Sequence, residues 1–161
     1  MWQETAYPED RKELYEQLIL MLRGLMDGER DVIANLANTS ALLADALKQI
    51  NWAGFYLMKD GILVLGPFQG KPACIRIPVG RGVCGTAAAT KEIQLVYDVH
   101  CFPGHIACDA ASNSEIVIPL IRNGEVLGVL DIDSPIVGRF DEEDRAGLAS
   151  LCDLLLAGCD W

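Results

Sequence analysis

Two dipeptides constrain this chain most: Asp60-Gly61 and Asn123-Gly124, each set between apolar runs. Asp-Gly and Asn-Gly accept the left-handed backbone that closes a two-residue hairpin with the twist its strands require. "NWAGFYLMKDGILVLGPFQG" therefore predicts an antiparallel strand pair, and "EIVIPLIRNGEVLGVLDIDS" predicts another. "ACIRIPV", closed by Pro78 and Gly80, reads as a further strand, as does the short run from Ile93 to Tyr97. Helical periods surround them. Leu14, Leu18, Leu22 and Leu25 mark a helix from Arg11 to Met26, and Val32, Leu36, Leu43 and Leu47 mark a second. "GRGVCGTAAATK" predicts a glycine-opened helix, and Asp141 is placed to cap a closing one. The order predicts an α+β fold, an antiparallel sheet of about five or six strands flanked by helices.

A chain of 161 residues can bury a full core as one domain. Residues 1–49 would supply the N-terminal helices; residues 50–161 would supply the sheet, a long loop and the C-terminal helix. The net charge of −10 argues against nucleic acid as a partner, since a polyanion calls for a basic face. The opening "MWQETAYPEDRKELYEQ" is too acidic and polar for an export signal, and no apolar run is long enough to span a membrane. These features predict a soluble, cytoplasmic protein. In that setting the 6 cysteines read as buried thiols, metal ligands or redox groups rather than as a disulfide frame. Cys152 lies on a helical apolar stripe and fits an inert core thiol. Cys159, beside the end of the chain, is expected to fray and is given no role.

The connection from Asp98 to Ser114 is longer than a compact domain usually keeps without function. It carries Cys108 beside His105, within a run of small polar residues. Cys84 follows Gly80-Arg81-Gly82 at a helix start, where free N–H groups and the helix dipole favour a thiolate. On electrostatics alone it is the thiol expected to be most activated. Cys74 opens a strand. Three cysteines with His100 or His105 can be read as a zinc site, but no C-x-x-C knuckle supports it.

Acids form a second group. Glu115 begins one strand of the second hairpin, Asp131 and Asp133 end the other, and strand alternation puts Asp131 and Asp133 on one face. Crowded carboxylates repel, which raises at least one pKa and supplies a proton donor near neutrality. The plainer reading is a solvated strand end, but the apolar neighbours in "VLDIDSP" point to burial. Trp52 and Tyr56 share a strand face, with Phe55 on the other. Such a pair either packs a core or walls an apolar or cationic ligand group.

"NWAGFYL", "LGPFQGKPACIRIPVGRGVCGTAAA", "DVHCFPGHIACDAASNSEIVIPL" and "GVLDIDSP" together closely resemble the free methionine-(R)-sulfoxide reductases, which are single GAF domains. The likeness extends over nearly the whole chain, and the combination of Cys74, Cys84 and Cys108 with Glu115, Asp131 and Asp133 is its specific part. The resemblance implies that Cys108 attacks the sulfoxide sulfur, and that Cys74 and Cys84 resolve and recycle it. Cys74 is the implied first disulfide partner, with Cys84 an alternative or later one. Trp52 and Tyr56 would hold the methyl-sulfoxide end. Glu115, Asp131 and Asp133 would bind the substrate and polarise or protonate its oxygen. It further implies thioredoxin as external reductant, no metal or organic cofactor, and a homodimer. Where the residue argument names Cys84 as the activated thiol, the resemblance names Cys108 as nucleophile. The rival reading of another class is a non-catalytic, small-molecule-sensing GAF module, which normally sits beside an effector domain.

Overall fold

The computed structural model describes residues 5–161; the first four residues of the acidic opening stretch lie outside it. Two helices, α1 (Arg11–Leu25) and α2 (Val32–Ala46), precede the strands β1 (Trp52–Lys59), β2 (Ile62–Gly70) and β3 (Arg76–Pro78). Helix α3 (Gly82–Thr90) leads to β4 (Gln94–Val96), a short 3-10 turn at Val99–Cys101, then β5 (Ser114–Arg122), β6 (Glu125–Ser134) and α4 (Glu142–Gly158). The strands form one six-stranded sheet in the order β3-β2-β1-β6-β5-β4, every pairing antiparallel.

Both hairpin signals act as expected. Asp60 and Gly61 have φ of 51° and 78°, and Asn123 and Gly124 have 53° and 79°, the left-handed pair of a type I′ turn. Asp141 caps α4, its side chain accepting from the backbone N–H of Glu143 and Asp144, which satisfies donors that the first turn leaves free.

Strand alternation divides the sheet into two faces. Ala53, Phe55, Ile116, Leu130 and Ile132 pack against the leucines of α1, α2 and α4 in the larger core. Trp52, Tyr56, Val117 and Val129 point the other way, toward α3 and the small residues Val83, Ala87 and Ala88. Gly54 lies on this second face; a Cβ there would run into Phe68 of β2. Cys152 is buried in the larger core as expected. Cys159 is not frayed: it is 2% exposed, and Asn35 Nδ2 donates to its sulfur at 3.4 Å. Packing of the C-terminal turn against α2 holds it. Among the described residues no helix is long and apolar enough to cross a membrane.

Candidate active site

The second face of the sheet is greasy except at one end. There the register sets Trp52 opposite Asp133 and Gly54 opposite Asp131, while Glu115 pairs with Asp133 and Val117 with Asp131. Three carboxyls and an indole thus share one end of three adjacent strands. Glu115 and Asp131 are each only 6% exposed. Burial pushes the Glu115 and Asp133 carboxyls well above the carboxylate range, with neighbouring negative charge adding to it. Burial also brings Asp131 up to about 6. The expected raised acids are present, but desolvation is the larger cause and like-charge crowding the smaller one.

Cys84 enters this cluster from the first turn of α3, its sulfur 3.9 Å from Glu115 Oε1. The expectation that it is the most activated thiol is overturned. It is fully enclosed, and burial, followed by the charges of Asp131, Glu115 and Asp133, pushes its thiol well up. A helix dipole of about half a charge does not offset removal from water beside three acids. His105 lies over the same acids, Nε2 3.7 Å from Glu115 Oε2, whereas His100 stays at the surface with Nδ1 2.8 Å from Asp98 Oδ1. Partial burial lowers the His105 pKa while burial raises that of Glu115, and both shifts weaken ion-pair character in this contact.

Cys108 and Cys74 form a disulfide, with Cα atoms 5.7 Å apart at a sequence separation of 34. Cys108 is exposed on the long loop and faces two adjoining hollows that share Tyr56, Asp109, Asp131 and Asp133. Cys74 is held from below: the Tyr56 hydroxyl donates to its backbone carbonyl at 3.0 Å. Trp52 stacks on Tyr56 and on Phe68, with ring centroids 5.9 and 5.1 Å apart, and its indole N–H donates to the Lys71 carbonyl. The remaining cysteines, Cys84, Cys101, Cys152 and Cys159, are free thiols.

The polar residues of the long loop mostly secure the loop itself. Asn113 Nδ2 donates to the Pro135 carbonyl, and the Ser114 hydroxyl donates to that of Ile136. Asp109 accepts from the Ala111 backbone and from Asn51 Nδ2, with Lys71 Nζ at 3.9 Å, and these contacts hold its carboxyl below the usual range. Asn51 and Lys71 therefore join the site without having been singled out by sequence, whereas His105 is read there as the neighbour of Cys108 and a candidate zinc ligand.

Comparison with known proteins decides the family. The GAF domain model matches residues 34–157. The free methionine-R-sulfoxide reductase of Escherichia coli is 61% identical over 142 residues, covering 88% of this chain and 86% of that one. The Saccharomyces cerevisiae enzyme of the same name is 49% identical over 158 residues, covering 93% and 88%. This chain belongs to the free methionine-R-sulfoxide reductases of the GAF family. A solved reductase of this family, from Neisseria meningitidis in complex with its substrate, superposes with a TM-score of 0.93 at 43% identity, covering 98% of this chain and 95% of that one. In this reductase the fold expected from the hairpins and helices is the GAF architecture.

Proposed function

We propose that this chain reduces free methionine-(R)-sulfoxide to methionine, with Cys108 as nucleophile. The observation that carries the reading is the Cys74–Cys108 disulfide in the pocket that Glu115, Asp131 and Asp133 line. The Cys108 thiolate attacks the sulfoxide sulfur while Glu115, Asp131 or Asp133 gives a proton to the oxygen, which leaves poorly without one. Attack forms a sulfur–sulfur bond as the protonated oxygen departs as hydroxide; hydroxide then adds to the Cys108 sulfur, that sulfur–sulfur bond breaks, and methionine leaves with a sulfenic acid on Cys108. The Cys74 thiol attacks that sulfenic sulfur, water departs, and the disulfide forms. Two thiols of an external dithiol protein, thioredoxin in this reading, return both cysteines to thiols by exchange.

The Tyr56 contact to the Cys74 carbonyl supports Cys74 as resolving thiol, because it fixes the strand lead-in at bonding distance from the loop. Cys84 then remains a thiol whose S–H supports the acid cluster, instead of exchanging. Trp52, backed by Tyr56 and Phe68, walls the methyl end of the substrate. No metal or organic cofactor takes part in these steps. Work on the free amino acid in the cytoplasm, as a homodimer, completes the reading.

The test is incubation of the pure protein with each sulfoxide epimer and dithiothreitol, following methionine by chromatography. The R epimer of free methionine sulfoxide should turn over, and the S epimer and a peptide-bound sulfoxide should not. Equal rates on all three would overturn the assignment, and no methionine from any would favour a sensing module.

A further inference from the structure

Cys84, His105, Glu115 and Asp131 line one pocket and come from α3, the long loop, β5 and β6. They offer one sulfur, one ring nitrogen and two carboxylates. Donor atoms of Cys84, Glu115 and Asp131 all lie within 4.8 Å of one another. The Cys84 sulfur is 3.9 Å from Glu115 Oε1, and His105 Nε2 is 3.7 Å from Glu115 Oε2. Ligands bound tetrahedrally at about 2.0–2.3 Å stand roughly 3.3–3.8 Å apart. His105 stands outside that group of three and reaches it through Glu115.

A second observation points to a missing electropositive partner. Asp131 Oδ1 is buried and has no hydrogen-bond partner, in a residue 6% exposed. Among the described residues no lysine or arginine pairs with Glu115 or Asp131. An orphaned buried acceptor carries a desolvation cost that a bound ion removes.

We propose that Cys84, His105, Glu115 and Asp131 form a binding site for a thiophilic divalent cation, with zinc the best match, and that its occupancy blocks the reductase pocket. Zinc takes sulfur, nitrogen and oxygen ligands together and imposes no geometry of its own beyond four-coordination. Hard cations that demand an oxygen shell fit the sulfur poorly. The ion displaces the Cys84 thiol proton and whatever protons the carboxyls hold, so binding releases protons to solvent and no redox change occurs. It is an inhibitor and not a cofactor, since it occupies the groups that would protonate the sulfoxide oxygen. Binding stands on the geometry alone; the blocking of turnover rests on the reductase reading.

The experiment uses the full chain with the Cys74–Cys108 disulfide formed, so that neither of those sulfurs can bind metal, in a Cys101→Ser background that removes the exposed thiol. Cobalt(II) is titrated for its thiolate charge-transfer band, and zinc affinity is then measured by displacement of the cobalt. One equivalent should bind with the band. Cys84→Ser should abolish the band, and His105→Ala and Asp131→Asn should each weaken zinc by at least about tenfold. Absence of the band in folded protein, or affinity unchanged in the variants that keep their near-ultraviolet circular dichroism, would overturn the site. In a second arm, zinc should suppress methionine formation by the reduced enzyme in a single turnover, reversibly with a chelator, and His105→Ala should need at least about tenfold more zinc. Full turnover with the site occupied would overturn the blocking. Absence of turnover in metal-free enzyme counts against the reductase reading and leaves the cobalt result standing.

Discussion

Glu115 and Asp133 are direct partners across the β5–β6 ladder, on the face that carries Asp131. Like charges directly opposite one another destabilise a sheet, and burial here favours the protonated form of both carboxyls. The proposed reaction draws its proton from this cluster. Asp131→Asn, Asp133→Asn and Glu115→Gln keep the shape but remove a transferable proton. In the variant that lacks the donor, the reductive step should fall about 10²–10⁴-fold, and the alkaline limb of its pH–rate profile should change. The other two amides should mainly weaken substrate binding, which single-turnover rates against substrate concentration separate. Because the three acids titrate together, the profile reports the cluster and not one residue.

The same burial makes stability depend on pH. Asp131 titrates at about 6 instead of 3.8, so between those values the unfolded chain has released a proton that the folded chain retains. Stability is greatest below the lower value and falls as pH rises through the window, by an amount on the order of 3 kcal/mol for such a shift. Asp131→Asn removes the titrating group. Urea unfolding at a series of pH values should show the variant gaining on the wild type as pH rises from 3.8 to about 6.

Cys74 and Cys84 are separated by their surroundings. Cys74 is already bonded to Cys108, while Cys84 is enclosed with its sulfur toward Glu115. Cys74→Ser should leave one methionine per enzyme but halt recycling, with the Cys108 sulfenic acid trapped by dimedone. Peptide mapping of oxidised wild-type protein should give the Cys74–Cys108 pair; a dominant Cys84–Cys108 peptide would reverse the proposed order.

Gly54 sits between Phe68 on one neighbouring strand and Asp131 on the other. Gly54→Ala drives a methyl group into Phe68, which stacks on Trp52. Overpacking of this kind costs about 1–3 kcal/mol. The denaturation midpoint should fall, and KM for the sulfoxide should rise more than kcat falls, because the displaced ring supports the substrate wall rather than the reacting atoms.

What was legible in the sequence was what local rules govern. Asp60-Gly61 and Asn123-Gly124 specify their turns within two residues, and period-two alternation alone puts Trp52 with Tyr56 and Asp131 with Asp133. The acids were found because an Asp pair in an apolar strand is costly without a purpose. Tertiary burial was not legible. A helix start suggested an activated Cys84, but the sheet that encloses it arrives from β5 and β6. Cys159 looked frayed for the same reason, since its partner Asn35 lies 124 residues away. Asn51 and Lys71 reach Asp109 only through the fold, so no spacing could announce them.

The central claim is that Cys108 performs the reduction, and single-turnover stoichiometry tests it most directly. Fully reduced protein is mixed with excess free methionine-(R)-sulfoxide without any reductant, and methionine per enzyme is counted beside the loss of thiols. Wild-type protein should give about one methionine with the loss of two thiols, as one sulfenic acid is resolved by one thiol. Cys108→Ser should give none. A Cys108→Ser protein that still forms methionine, or a Cys84→Ser protein that alone forms none, would contradict the account.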